Sequence, residues 1–157
     1  MTEIRFAARG DVPVILRFVK ELAAFEREPD VVTADVAMLE AAMFDERAAE
    51  ALIAEREGEA VGFALFFHNF STWEGRKGLY LEDLYVTPAA RGGGVGEALL
   101  RRLAGIAVER DCARFEWSVL DWNEAAIAFY RKMGALGMDE WTVQRVSGAA
   151  LQRLAAG

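Results

Sequence analysis

Apolar residues recur along this chain at two different spacings. Val14, Ile15, Phe18, Leu22 and Phe25 are spaced for one face of a helix, and Leu99, Leu103, Ile106 and Ala107 repeat that spacing later, with Arg101, Arg102 and Glu109 off the stripe. Residues 50–55, 60–70, 79–86 and 114–120 are instead short, strand-like apolar runs. Residues 3–8 predict a leading strand. Asp11 can cap the first helix, Pro13 falls in its first turn, where a missing N–H is harmless, and Pro29 ends it. Thr33 is read as the cap of a second helix running to about residue 44, with Val36, Leu39 and Met43 on one face. Glu57-Gly58-Glu59 signals a hairpin, the polar segment 71–78 a loop, and Pro88 the stop of strand 79–86. Residues 123–133 predict a helix closed by Gly134, residues 141–146 a last strand, and residues 147–155 a short helix.

Hairpins first and helical crossovers later imply an α/β fold with a mixed sheet and helices on its faces. No repeat, linker or low-complexity tract divides the chain, and 157 residues suit one domain, taken as 1–157. A hydrophobic fraction of 54% argues for a filled core and against disorder. Eighteen basic against twenty-five acidic residues give a formal charge of −7. That argues against nucleic acid or an anionic membrane as partner and suits a cationic small molecule, although solubility alone also explains it. Cys112 is the single cysteine, so no disulfide forms within the chain, and its setting between a helix and an apolar strand favours a structural thiol. The N-terminus lacks a signal core and no run reaches membrane-span length, so a cytoplasmic protein is expected.

The most specific local feature is Arg91-Gly92-Gly93-Gly94-Val95-Gly96, between a strand and a long helix. Glycines allow positive φ and close approach of a ligand to the backbone. A helix start adds unpaired N–H groups and the positive end of a dipole, and together these make a phosphate cradle. Arg91 can add a charge-assisted contact. Glu97-Ala98 follow Gly96 where a nucleotide-hydrolase loop needs Lys and Ser or Thr, and the spacing is not that of a dinucleotide fold. The residues alone leave a plain flexible turn as the alternative.

Arg91-x-x-Gly94-x-Gly96 after LYLEDLYVTP resembles the acetyl-CoA loop of the GNAT superfamily of N-acyltransferases. VLDWNEAAIAFYRKMGA resembles that superfamily's second conserved segment, and the similarity runs from Ile4 to about Val146. YLEDLYV, VLDWNEAAIAFY and MDEWTV are similar to the diamine/polyamine branch, which includes spermidine/spermine and thialysine acetyltransferases. The resemblance implies a central mixed, mostly antiparallel sheet of about six to seven strands flanked by helices. It also implies acetyl-CoA as cosubstrate, no metal, and a homodimer whose C-terminal segments contribute to the partner's site. Arg91 and Gly92, Gly93, Gly94, Val95 and Gly96 would hold the pyrophosphate. Backbone groups of Leu84, Tyr85 and Val86 would meet the pantetheine and the thioester carbonyl, and Asn123 the pantetheine arm.

Two carboxylates, Glu82 and Asp83, interrupt the apolar strand 79–86, and burying a carboxylate requires a reason. Alternation puts them on opposite faces unless a bulge shifts the phase, and relatives carry such a bulge. Glu82 is the candidate general base, through water, and Asp83 a cation-binding carboxylate. A structural ion pair with an arginine is the alternative for either. Tyr130, a phenol with a reference pKa near 10, is the candidate acid for the leaving thiolate. A core aromatic is its alternative, as an ordinary N-cap is for Asn123. Glu26 and Trp141 match acceptor-site positions of polyamine-acetylating relatives, against a solvated helix residue and a core or interface tryptophan. Asp139 and Glu140 are weaker candidates. His68, the lone histidine, reads as structural. The function expected is acetyl transfer to a primary amine of a small cationic acceptor. The alternatives are a protein or peptide amine acetyltransferase and a non-catalytic CoA-binding module.

Overall fold

A computed structural model describes all residues, 1–157. By the density of their internal contacts the residues form two units, Met1–Ser118 and Val119–Gly157. The first unit holds strand β1 (Glu3–Phe6), helix α1 (Val12–Phe25), helix α2 (Val36–Glu40), strands β2 (Glu50–Arg56), β3 (Glu59–Ser71) and β4 (Arg76–Val86), helix α3 (Val95–Glu109) and strand β5 (Phe115–Glu116). The second holds helices α4 (Glu124–Lys132) and α5 (Gly148–Ala156).

The sheet has five strands in the order β1-β2-β3-β4-β5. The first four are antiparallel and β5 runs parallel to β4. The mixed, mostly antiparallel sheet is as expected, but the strand count is five rather than six or seven. Two changes account for that. Residues 141–146 are expected to form a strand, yet all six are exposed and none joins a ladder. The run 114–120 contributes only two paired residues. Strand pairing needs a partner edge, and the composition of one segment cannot supply it.

Other local expectations hold with small shifts. Glu57 and Gly58 both take positive φ, 52° and 80°, giving the two-residue hairpin whose twist matches its strands. The loop read at 71–78 is shorter, a turn at 72–75, because β3 runs on to Ser71 and β4 begins at Arg76. Asp35, not Thr33, caps α2: its Oδ1 accepts the Met38 N–H at 2.8 Å. A π-helical stretch, Ala41–Asp45, then extends α2.

The sheet of the first unit is covered on both sides. On one side Ile15, Phe18 and Met43 pack against Ala51, Ile53, Phe63 and Tyr85. On the other, α3 packs on β1 to β4 and buries Val95, Leu99, Leu103 and Ile106. In the second unit, Asn123 caps α4 with its Oδ1 accepting the Ala126 N–H at 3.2 Å, and Gly134 follows the helix at φ 96°.

Candidate active site

The site is built on an irregularity of β4. From Gly62 to Ser71, β3 faces β4 without a break, but β4 skips a residue: Leu81 lies opposite Phe66 and Asp83 opposite Leu65. Glu82 is the extra residue of a β-bulge. Cross-strand partners share a face, so the bulge reverses the phase of the strand. Leu79 and Leu81 point with His68 and Phe66, away from α1. Asp83 and Tyr85 point with Leu65 and Phe63, towards α1. Without the bulge Asp83 would share the apolar face of Leu79 and Leu81.

The charges of two other carboxylates act on Asp83 there. Burial pushes Asp83 up to about 6, and the like charges of Glu82 and Glu26 add to the rise. Glu26 follows the last turn of α1, its N–H bonded to the Leu22 carbonyl at 2.9 Å. Burial raises its pKa too. Glu82 is exposed. The two charges that raise Asp83 share its own sign. Beside Asp83 on the same face are Phe67 and Tyr80, with ring centroids 5.2 Å apart, and the Tyr80 hydroxyl lies 2.9 Å from Ser118 Oγ. Glu116 pairs with Tyr80 across the β4–β5 ladder. Sequence reasoning missed Tyr80 and Glu116, because only the bulge puts positions 80 and 83 on one face.

Tyr85 is almost fully buried and its hydroxyl donates to Glu21 Oε1 at 3.3 Å. Burial raises that phenol, and the Glu21 charge raises it further. Arg91 turns back over this ring. Its Nε donates to the Val86 carbonyl at 3.0 Å, and its guanidinium lies 5.2 Å from the Phe25 ring centroid and 5.7 Å from that of Tyr85. Arg91 thus ties the end of β4 to the end of α1.

The glycine loop leads from there into α3. Gly92 and Gly94 both take φ 80°, and nothing lies within 4 Å of a Cβ placed on either. Gly94 is the N-cap of α3 and offers no side chain to its N–H groups. The Val95 side chain is buried and anchors the turn, so only its backbone is available to a ligand. This open, side-chain-free helix start fits a phosphate group.

The remaining candidates belong to the second unit. Asn123 is the N-cap of α4 and Tyr130 lies two turns along it, its ring 5.6 Å from that of Phe129. Trp141 is 69% exposed on the segment after α4. Asp139 and Glu140 are exposed beside it. His68, by contrast, belongs to a cluster in the first unit. Arg110 grips Glu50 with two bonds of 2.6 and 2.9 Å, and its Nη1 is 3.5 Å from His68 Nε2. Burial lowers the His68 pKa, and the Lys77 and Arg110 charges lower it further. No group of three or more His, Cys, Asp or Glu side chains is arranged for a metal ion. No helix is long and apolar enough to cross a membrane.

The family profile described as "Acetyltransferase (GNAT) family" matches residues 16–135. The chain belongs to the GNAT acetyltransferase family. A thialysine N-epsilon-acetyltransferase of Sus scrofa is 38% identical over 97% of this chain and 96% of that protein. Spermidine/spermine N(1)-acetyltransferase-like protein 1 of Homo sapiens is 40% identical over 87% of this chain, which corresponds to 21% of that longer protein. An integron cassette protein from the mobile metagenome of V. cholerae shares the fold with a TM-score of 0.83 at 26% identity, over 99% of this chain and 98% of that one. This GNAT chain is therefore an N-acetyltransferase of the diamine/polyamine branch.

Proposed function

We propose that this acetyltransferase moves the acetyl group of acetyl-CoA to a primary amine of a small cationic acceptor: a diamine, a polyamine or a lysine-like amine. The observation that carries the reading is Asp83, turned by the Glu82 bulge to the α1 side, where the negative charge of Glu26 acts on it. Like charges held together out of water are unfavourable, and a bound ammonium group relieves them.

The cosubstrate supplies an acetyl thioester, and every other task falls to the chain. Asp83 and Glu26 hold the cationic acceptor. Glu82, exposed at the bulge, takes the proton from the attacking amine through water as the C–N bond forms. Tyr130 gives its proton to sulfur as the C–S bond breaks. Leu84, Tyr85 and Val86 offer backbone groups to the pantetheine, with Asn123 beside its arm. Gly92 to Gly96, aided by Arg91, receive the pyrophosphate.

The same reading treats residues 1–157 as one functional domain, because the family profile runs across the division between the two units. It also takes the enzyme as a cytoplasmic homodimer. The unladdered segment 141–146, with Trp141, Val143 and Val146 exposed, supports association of two copies, and Trp141 would then face the neighbouring subunit's acceptor.

An acceptor screen that follows free CoA release tests the proposal. Spermidine, short diamines, lysine, thialysine and a peptide amine are offered in parallel. Release with the small cations is expected. Release with the peptide alone, or with nothing, overturns the reading.

A further inference from the structure

Arg56, the last residue of β2, lies outside every motif singled out in the sequence, yet it is fastened to the glycine loop. Its Nη2 donates to the Gly93 carbonyl at 2.8 Å, and its Nε donates to Thr2 Oγ1 at 2.9 Å. The guanidinium lies so close to Gly93 that a Cβ there would stand 2.5 Å from Nη2 and 2.9 Å from Nη1. Gly93 therefore cannot take a side chain without displacing the Arg56 guanidinium, a different constraint from those on Gly92 and Gly94. Its φ is not positive, but its missing side chain makes room for Arg56. In a chain where Arg5, Arg9, Arg76 and Arg110 each meet a carboxylate, Arg56 instead meets a hydroxyl and a backbone carbonyl.

That bond fixes the orientation of a peptide. All peptide bonds of the chain are trans, so the N–H of Gly94 points opposite to the C=O of Gly93. With the carbonyl turned onto Arg56, the Gly94 N–H is turned the other way. A cation on the carbonyl also polarises the peptide and makes its N–H a better donor. We infer that Arg56 is a positioning residue for the phosphate-binding loop: it holds the Gly93 carbonyl so that the Gly94 N–H and the first N–H groups of α3 face the cosubstrate's diphosphate. The inference rests on the acetyl-CoA reading and adds a residue from another strand to the loop's own motif.

The test is CoA binding by titration calorimetry, with initial rates measured alongside. Arg56→Ala is expected to weaken CoA binding roughly ten-fold, the usual scale for a lost charge-assisted bond. KM for acetyl-CoA should rise by a similar factor, with kcat and the KM for the amine unchanged. Arg56→Lys should recover part of the affinity, since an ammonium still reaches one carbonyl. Gly93→Ala, which displaces Arg56 from the other side, should repeat the loss even if Arg56→Ala folds poorly. The preference for CoA over 3′-dephospho-CoA should survive in Arg56→Ala, because Arg56 acts through the loop. Unchanged CoA affinity in both Arg56→Ala and Gly93→Ala overturns the inference, as does collapse of that preference, which would make Arg56 a direct contact of the 3′-phosphate. If the wild-type protein binds no CoA, the cosubstrate reading fails and takes this inference with it.

Discussion

Replacing Asp83 by Asn should stabilise this protein, and the gain should depend on pH in a defined way. In the folded chain Asp83 titrates at about 6, against an ordinary 3.8, chiefly because it is buried. Between those values the folded state binds more protons at this position than the unfolded state does. The contribution of Asp83 is therefore most favourable below pH 4 and is lost as pH rises through 6. At roughly 1.4 kcal/mol for each tenfold change in proton affinity, the full gap is about 3 kcal/mol, an upper bound. Asn keeps the shape of Asp and never ionises. Asp83→Asn should thus match the wild type near pH 3.5 and exceed it by up to about 3 kcal/mol at pH 7.5. With a urea dependence of about 2 kcal/mol/M, the unfolding midpoint would rise by roughly 1 to 1.5 M. Urea unfolding followed by circular dichroism at pH 4, 5, 6 and 7.5 measures the difference. Asp11 and Glu50 are held low by Arg5 and Arg110 and lose stability in acid, but they do so in both proteins and cancel. A difference that stays constant from pH 4 to 7.5, or a variant less stable at pH 7.5, would refute the reasoning. The same substitution should raise KM for a cationic acceptor, because the group that destabilises the empty site is the one a cation completes.

Tyr130→Phe should lower kcat sharply while CoA affinity stays near the wild-type value; unchanged turnover removes the tyrosine from its role as acid. Gly62→Ala places a Cβ 2.8 Å from the Tyr85 carbonyl oxygen and 3.3 Å from Val95 Cγ1, so β3 and β4 must part beside the loop. A loss of about 1–3 kcal/mol in thermal or urea unfolding is expected, and a neutral result would mean the strands already yield there. Phe18 is fully buried, with ring centroids 5.8 Å from Phe63 and 5.5 Å from Tyr85. Phe18→Ala should cost about 3–5 kcal/mol by urea unfolding, and a loss below 1 kcal/mol would contradict the packing described.

The sequence made the helices plain because their signals are local. Pro13 falls in the first turn of α1, Asn123 caps α4, and the stripe Leu99, Leu103, Ile106 is buried. Each depends on residues a few positions apart. The glycine loop was legible for the same reason, as was the hairpin at Glu57-Gly58. Pairing was not. Residues 141–146 are rich in strand-forming types, but a ladder needs an edge elsewhere, and none within the chain takes them. Thr33 and Asp35 are both good caps, and the choice between them rests on which residue the second helix begins after.

The bulge at Glu82 shows most sharply why the face a strand residue occupies is not fixed by its own strand alone. Read with strict alternation, Leu79, Leu81 and Asp83 lie on one face and Tyr80 and Glu82 on the other. In the structure, Leu79 and Leu81 face α3, whereas Tyr80, Asp83 and Tyr85 face α1. No residue in LYLEDLYV marks the extra position, because a bulge is a relation between two strands and leaves little trace in one. What the sequence does show is the strain that a bulge resolves: with strict alternation, Asp83 would be pressed between sheet and α3 among Leu81, Leu99 and Leu103. One skipped residue moves that carboxylate from an apolar layer to the open end of α1, beside Glu26. Deleting Glu82 would join Leu81 directly to Asp83, and regular pairing opposite Phe66 and Leu65 would keep Asp83 on the α1 face. That deletion therefore separates the two carboxylates: it removes the candidate base and leaves the cation-binding position where it is.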